Sequence, residues 1–381
     1  MVIRLALAFK SFALIPLVSN YFFFRIGILN FKQQPLNVPI NRQCLVRLNR
    51  WMLNSQESAS GSLASILSVI FKTTMIMKAV ICKKYGTPEV LQIQEVSKPI
   101  SEDNQILVKI MATAVNSADV RVRSLDVKGF LKVVMRLVLG ISKPRKPILG
   151  TVFSGVVESV GDKVSRFKIG DKVFGMTGFK FGTHAEYIAV NQNSNVIEMP
   201  NNATFEEAAA IIFGGQTAIY FLDKAKIAEK SNPKILIIGA TGSVGTAAIQ
   251  IAKYHKADIT AVCSSNGQKL VVELGVKNII LYDKEDFTKQ KEKFDIIFDA
   301  VDKSNKNQCK NLLNRNGIYK NVSSVNASET IQQLQLLKEL FEKGEFKATI
   351  DKTFTLDKIV DAHRYVDTGR KKGNVVLKIS Q

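Results

Sequence analysis

Lys234 to Lys253 reads KILIIGATGSVGTAAIQIAK: a β-branched apolar run, a turn carrying Gly239, Gly242 and Gly245, and a helix rich in small residues. Ile235–Ile238 suits a strand buried on both faces, and from Ala247 the apolar residues recur at helical spacing, so the stretch predicts one strand–turn–helix unit of a parallel sheet. A diphosphate approaches main-chain N–H groups at a helix start only where side chains are absent, and the helix dipole favours its charge. Gly242 and Gly245 fill those places, with Ser243 and Val244 between them. Against the G-x-G-x-x-G spacing, Ala240 takes the first glycine position, Gly239 precedes it and Thr241 follows. The alternative reading is a tight turn that holds no ligand.

The next apolar run, Asp258–Cys263, should lie parallel to the first. An NAD site places an acidic residue near the end of such a strand to hold the ribose 2'-hydroxyl. Ser264, Ser265 and Asn266 stand there instead, with Lys269 one turn on. Hydroxyls and an ammonium suit a 2'-phosphate better than a diol, which favours NADPH over NADH. Alternatively, Ser264 and Asn266 only cap the helix containing Leu270–Leu274.

Six further stretches surround this unit in a fixed order: MKAVICKKYGTPEVLQI (Met77–Ile93), GTVFSGVVESVG (Gly150–Gly161), FKIGDKVFG (Phe167–Gly175), AEYIAV (Ala185–Val190), FDIIFDAV (Phe294–Val301) and AHRYVDTGRKKGNVVLKI (Ala362–Ile379). With them, Met77–Gln381 resembles the medium-chain dehydrogenase/reductase superfamily, in its zinc-free, quinone-oxidoreductase-like branch. The resemblance implies an α/β fold: a GroES-like β-rich domain built from both chain ends, plus an inserted Rossmann domain with a doubly wound parallel sheet. Its parts are residues 77–203, 204–330 and 331–381. The patterning agrees, since residues 77–200 show short alternating runs broken by Gly and Asp, and residues 205–320 alternate helical and buried-strand segments. Pro200-Asn201-Asn202 marks a crossing point, and the site is expected in the cleft beyond the strand ends.

Many relatives use zinc to polarise the substrate oxygen. Where they carry a cysteine this chain has Asn116, and where they carry His-Glu after a glycine it has Thr151-Val152 after Gly150. Cys44, Cys82, Cys263 and Cys309 are scattered, and Cys82 and Cys263 fall in strand-like runs as core thiols. His184, His255 and His363 are isolated along the chain. A metal-free site implies NADPH-dependent hydride transfer to a quinone or an α,β-unsaturated carbonyl, with donors aimed at the oxygen where charge develops. The runner-up readings are an alcohol dehydrogenase or carbonyl reductase of the same superfamily, and a catalytically idle NADPH-binding protein, with RNA binding as a variant of the latter.

By resemblance, Asn116 and Thr217 flank the nicotinamide and substrate; the alternatives are a backbone-bonding turn residue for Asn116 and a helix residue bonding back to a carbonyl for Thr217. Arg121 stands where quinone reductases often have tyrosine. It cannot give up a proton at neutral pH but can steady an enolate; alternatively it is a solvated charge at a strand end. Tyr282 matches a position near the adenosine phosphate, or is a half-buried aromatic. Asn374 takes a place where relatives often carry lysine near the cofactor.

The apolar residues of Phe130–Leu139 suggest a helix with basic residues on one side, serving as a lid, as core or as a dimer contact. Residues 1–76 lie outside the resemblance. They hold eight Lys and Arg against Glu57 alone, and so +7 of the chain's +20. Their basic, acid-poor, Leu-, Phe- and Ser-rich composition is that of an organellar transit peptide. Leu5–Phe24 is also long enough for a span or signal segment, though Lys10, Pro16, Ser19 and Asn20 interrupt it. A start called upstream of Met77 is the third reading, and it would leave the protein cytoplasmic rather than mitochondrial or in another organelle. Lysines spread as in KEDFTKQKEKF are expected on solvated helix faces, without a specific nucleic-acid surface. A small carbonyl or quinone substrate and a homodimer are the expected partners, with membrane contact only through the extension.

Overall fold

A computed structural model of the chain describes residues 76–125, 130–324 and 327–379, with the side chains of 130–134 outside the description. Leu5–Phe24 and the remainder of the basic extension up to residue 75 therefore lie outside the described residues, as does Cys44.

Two kinds of sheet form, and the strand compositions separate them. The first part runs through β1 (Ile76–Cys82), β2 (Leu91–Ser97), β3 (Gln105–Val115), α1 (Ser117–Ser124), α2 (Phe130–Leu139), β4 (Val152–Val160), β5 (Lys172–Met176), β6 (Tyr187–Asn191) and β7 (Val196–Glu198). Then come α3 (Phe205–Lys224), β8 (Lys234–Ile238), α4 (Ser243–Tyr254), β9 (Asp258–Cys263), α5 (Gln268–Glu273), β10 (Asn278–Leu281), β11 (Phe294–Asp299), α6 (Lys306–Cys309) and β12 (Leu313–Asn321). The chain closes with α7 (Ile331–Glu342), β13 (Ile350–Thr355), α8 (Ile359–Asp367) and β14 (Asn374–Lys378).

A seven-stranded sheet has the order β13-β14-β3-β4-β5-β7, with β6 also on β3. Because β14 pairs antiparallel with β3, Val375 opposite Val115, the GroES-like part is assembled from both ends of the chain. β8, β9 and β11 are buried along almost their whole length, as strands covered by helices on both faces must be. They lie in a five-stranded parallel sheet ordered β10-β9-β8-β11-β12. The order reverses between β8 and β11, and ligands of such sheets bind outside the carboxyl ends of the strands at that reversal.

Helix α3 joins the two sheets. A reciprocal capping box starts it: the Glu207 amide donates to Thr204 Oγ1 at 3.2 Å, and the Thr204 amide donates to Glu207 Oε2 at 2.9 Å. Its Ile211, Ile212, Ile219, Phe221 and Leu222 share one core with Val152, Phe174 and Ile197 of the GroES-like sheet and with Ile235, Ile237 and Phe298 of the parallel sheet. Pro200-Asn201-Asn202 leads into it, and the Asn201 amide donates to Glu342 of α7 at 3.0 Å.

The helix expected over Phe130–Leu139 is present. Leu139 goes into the core with Leu125, Leu149 and Phe181, whereas Leu137 and Val138 are exposed. Cys82 and Cys263 are fully buried at strand ends, and burial pushes both thiols up to about 11. Two local expectations are corrected. The lysine-rich stretch 284–293 is loop with one 3-10 turn at Phe287–Lys289, because the Asp286 side chain accepts from the Thr288 amide at 2.9 Å and holds the turn. Arg121 lies on α1 and not at a strand end, since Asn116 and Asp119 cap a helix there.

Candidate active site

The turn after β8 has the geometry that phosphate binding requires. Gly239 has φ +77°, and a side chain there would run into Val301 at 2.4 Å. A Cβ on Gly245 would stand 2.1 Å from the Gly239 carbonyl oxygen, so the helix can start this close to the strand only with glycine. Gly242 differs from both, because a Cβ there would meet only the Gly239 carbonyl oxygen, at an ordinary van der Waals distance of 3.7 Å, and so would fit. Gly242 is the N-cap of α4 and offers no side-chain acceptor. The amides of Ser243, Val244 and Gly245 in the first turn therefore lack an intrahelical partner and are available to an anion. The Ala240 methyl is buried in the core shared with Ile235 and Ile237.

The C-terminal segment braces this turn. The Gly373 amide donates to the Thr241 carbonyl at 2.7 Å, and Ser243 Oγ donates to Asn374 Oδ1 at 2.5 Å. Asn374 is itself fixed by its Nδ2 donating to the Thr349 carbonyl at 3.0 Å. Half-buried Lys371 donates to the Gly373 carbonyl at 2.7 Å, and burial pushes its ammonium down to about 8 although Asp351 opposes the shift. Thus Thr241, Ser243 and Asn374 come together as a unit.

At the end of β9 the expectations separate. Ser264 makes no side-chain cap bond, and neither does the residue before α5, so the capping alternative is not realised. Lys269 is 90% exposed and 3.9 Å from Glu273, turned along its own helix. Another cation stands closer: Lys372 Nζ is 3.0 Å from Asn266 Oδ1. An acid is present as well, because β10 runs parallel to β9 and delivers Asp283, whose carboxylate accepts from the Ser265 amide at 2.9 Å. Tyr282 beside it is 60% exposed. Sequence reasoning missed Lys372 and Asp283, since neither lies in the loop it inspected; the parallel register of β9 and β10 was the only signal for Asp283.

Asn116 caps α1. Its Oδ1 accepts from the amides of Ala118 at 2.9 Å and Asp119 at 3.3 Å, and its Nδ2 donates to Thr151 Oγ1 at 2.8 Å. Asn116 and Thr151, far apart in sequence, are therefore adjacent and joined by a hydrogen bond. One amide hydrogen of Asn116 lies outside this network. Asp119 is fully buried and accepts from the amides of Asn116 and Gly150 at 2.9 and 3.1 Å; desolvation nonetheless pushes it up to about 7. Thr217 Oγ1 donates back to the Phe213 carbonyl at 2.7 Å, the helix-bound alternative for that residue. Arg121 is exposed on α1, and two residues on Arg123 is buried and pairs both carboxylate oxygens of Asp367 at 2.8 Å.

His184 and His363 are neighbours in space: their buried rings stand edge to face with centroids 5.7 Å apart. Burial pushes His184 down to about 4 and His363 well below its ordinary range. Among the described residues no three His, Cys, Asp or Glu side chains gather as a metal-binding group.

Comparison with known proteins gives a consistent picture. The family model for an alcohol dehydrogenase GroES-like domain matches residues 102–201, and that for a zinc-binding dehydrogenase matches residues 319–377. The chain is 32% identical over 342 residues to 2-methylene-furan-3-one reductase of Solanum lycopersicum, covering 85% of this chain and 83% of that protein. It is 28% identical to the chloroplastic NADPH-dependent alkenal/one oxidoreductase of Arabidopsis thaliana, over 85% of each chain. The solved quinone oxidoreductase of Coxiella burnetii superposes with a TM-score of 0.71 at 26% identity, covering 80% of this chain and all of that one.

Proposed function

Because the chain belongs to the medium-chain dehydrogenase/reductase superfamily, in its quinone-oxidoreductase-like branch, we propose that this oxidoreductase is zinc-independent, uses NADPH, and reduces a quinone or an α,β-unsaturated carbonyl. The residues fit the cofactor: Gly242 puts no side chain and no capping acceptor at the helix start, as a diphosphate needs. When bound, the nicotinamide supplies hydride to the conjugated system. Asn116 presents its remaining amide hydrogen to the substrate oxygen, and Thr151 fixes the amide plane through the 2.8 Å bond. One such donor at a developing oxyanion is worth about 3 kcal/mol. Arg121 adds positive potential from the same helix and keeps its own proton, so protonation of the product comes from water. Thr217 flanks the nicotinamide side from α3. In this reading residues 77–203 and 331–381 carry the substrate and residues 204–330 carry the cofactor.

The observation that carries the zinc-independent reading is the Asn116–Thr151 hydrogen bond, an amide and a hydroxyl where zinc chemistry needs thiolate and imidazole. The zinc-binding dehydrogenase match adds no ligand set, because residues 319–377 contain one histidine, His363, and no cysteine. Asp283 on the Ser265 amide favours a second reading in which NADH is the donor, its carboxylate holding the ribose diol.

The test is oxidation of NADPH and of NADH by the purified chain with a quinone, an enone, an enoyl thioester and a simple aldehyde, before and after dialysis against a chelator. Turnover of quinone or enone with NADPH, unchanged by the chelator, is expected. Activity confined to the aldehyde and lost on chelation would overturn the proposal, and a preference for NADH would support the Asp283 reading.

A further inference from the structure

Arg136–Pro147 reads RLVLGISKPRKP and combines exposed aliphatic side chains with cations and no acid. Leu137, Val138 and Ile141 are 59%, 61% and 69% exposed, three large apolar side chains within five residues. Arg136, Lys143, Arg145 and Lys146 are exposed around them, and none makes an ion pair among the described residues. The segment is ordered by its own backbone: the Arg145 amide donates to the Leu139 carbonyl at 2.6 Å, folding the cationic stretch back beside the end of α2. Tyr85 Oη donates to the Gly140 carbonyl at 2.8 Å, and buried Leu139 and Pro144 root the fold-back in the core. Beyond Pro147 the chain enters Gly150 and Thr151, so this surface adjoins the candidate cleft.

We propose that Arg136–Lys146 is a membrane-docking surface that seats the enzyme on an anionic lipid bilayer. Aliphatic side chains ringed by Lys and Arg are what an interfacial segment needs: the apolar groups enter the headgroup boundary and the cations meet lipid phosphates. Charge decides against a second copy as the occupant, because a two-fold contact would set four cations against the same four with no carboxylate between them. The apolar side chains decide against nucleic acid, since a phosphate backbone would leave Leu137, Val138 and Ile141 without an apolar partner.

Flotation of the full chain with phosphatidylcholine vesicles, with and without about a third phosphatidylglycerol, tests this at low and high salt. Salt-sensitive binding to the anionic vesicles alone is expected. K143Q/K146Q should weaken it about thirtyfold, from about 1 kcal/mol per cation at the surface, and Ile141→Ser about tenfold from lost apolar burial. Both variants should keep the parent's reduction rate with a water-soluble acceptor. No vesicle binding, equal binding to both vesicle types, or unchanged binding by both variants would overturn the proposal; the last would assign binding to the first 76 residues. Dissociation of a dimer in the variants on sedimentation, or retention of RNA in preference to vesicles, would overturn it as well.

Discussion

Gly242 and Gly245 look alike in the sequence and do different work. A side chain on Gly245 has nowhere to go, so Gly245→Ala should destabilise the fold by about 2 kcal/mol through overpacking against the Gly239 carbonyl, read as a lower urea midpoint. Gly242→Asp should leave the midpoint near that of the parent, because a Cβ there meets only an ordinary contact at 3.7 Å. It should weaken NADPH about a hundredfold or more, since two like charges some 4 Å apart repel by several kcal/mol. Fluorescence titration of NADPH against both variants checks this; equal affinity in Gly242→Asp and the parent would remove the diphosphate from this turn. The glycine spacing was legible in the sequence because the pattern is local. Asn116 was legible only as a residue type: whether its amide aims at substrate or caps a helix depends on Asp119 three residues on and Thr151 thirty-five on, and it proves to be a cap first.

Among the elements, α1 and α8 carry a buried polar cluster that no sequence periodicity announces. Arg123 of α1 reaches Asp367 of α8, and His363 of α8 stands against His184 from the loop before β6. Both imidazoles are neutral in the folded protein, because burial pushes His184 down to about 4 and His363 well below its ordinary range, with His184 and Arg123 adding to the latter shift. The unfolded chain takes up these protons near pH 6.5, so their contribution is complete above that pH and is lost as pH falls toward the folded values. His184 alone accounts for about 3 kcal/mol of that loss by pH 4. Asp119 works in the opposite sense: raised to about 7, its contribution is complete below its ordinary 3.8 and disappears as pH rises through the folded value. His363→Leu should therefore lose less stability between pH 7 and pH 5 than the parent. Urea unfolding at both pH values measures the difference, and identical losses would mean the His363 ring carries no titration penalty. The strands β8, β9 and β11 were legible because burial on both faces leaves each with a mostly apolar interior, as in Ile235–Ile238 of β8 and Ile296–Phe298 of β11. The lysine-rich stretch before β11 was misread as helix because charge spacing alone does not set backbone conformation.

At the scale of the whole molecule, the return of the chain into the β-rich sheet is what sets Gly373 and Asn374 against the glycine turn. The resemblance carried this architecture, and the helix α3 with its single core shared by both sheets explains why the arrangement holds. Two cations compete for the loop after β9 for a topological reason: Lys269 lies next to it in sequence and turns along its own helix toward Glu273, whereas Lys372 arrives from the return segment and meets Asn266. Lys372→Ala should accordingly raise the KM for NADPH about tenfold while leaving that for NADH nearly unchanged, and Lys269→Ala should change neither. Steady-state kinetics with both nucleotides decides it, and the reverse pattern would restore Lys269.

The brace from Gly373 and Asn374 onto the glycine turn also sets an order of manufacture. Synthesis as far as Asp367 completes every strand of the parallel sheet, yet the strand that closes the β-rich sheet and props the turn, Asn374–Lys378, has still to be made. The glycine turn is therefore braced only once the return segment is made, and a stop codon at position 368 should yield a product that neither retains NADPH nor survives proteolysis.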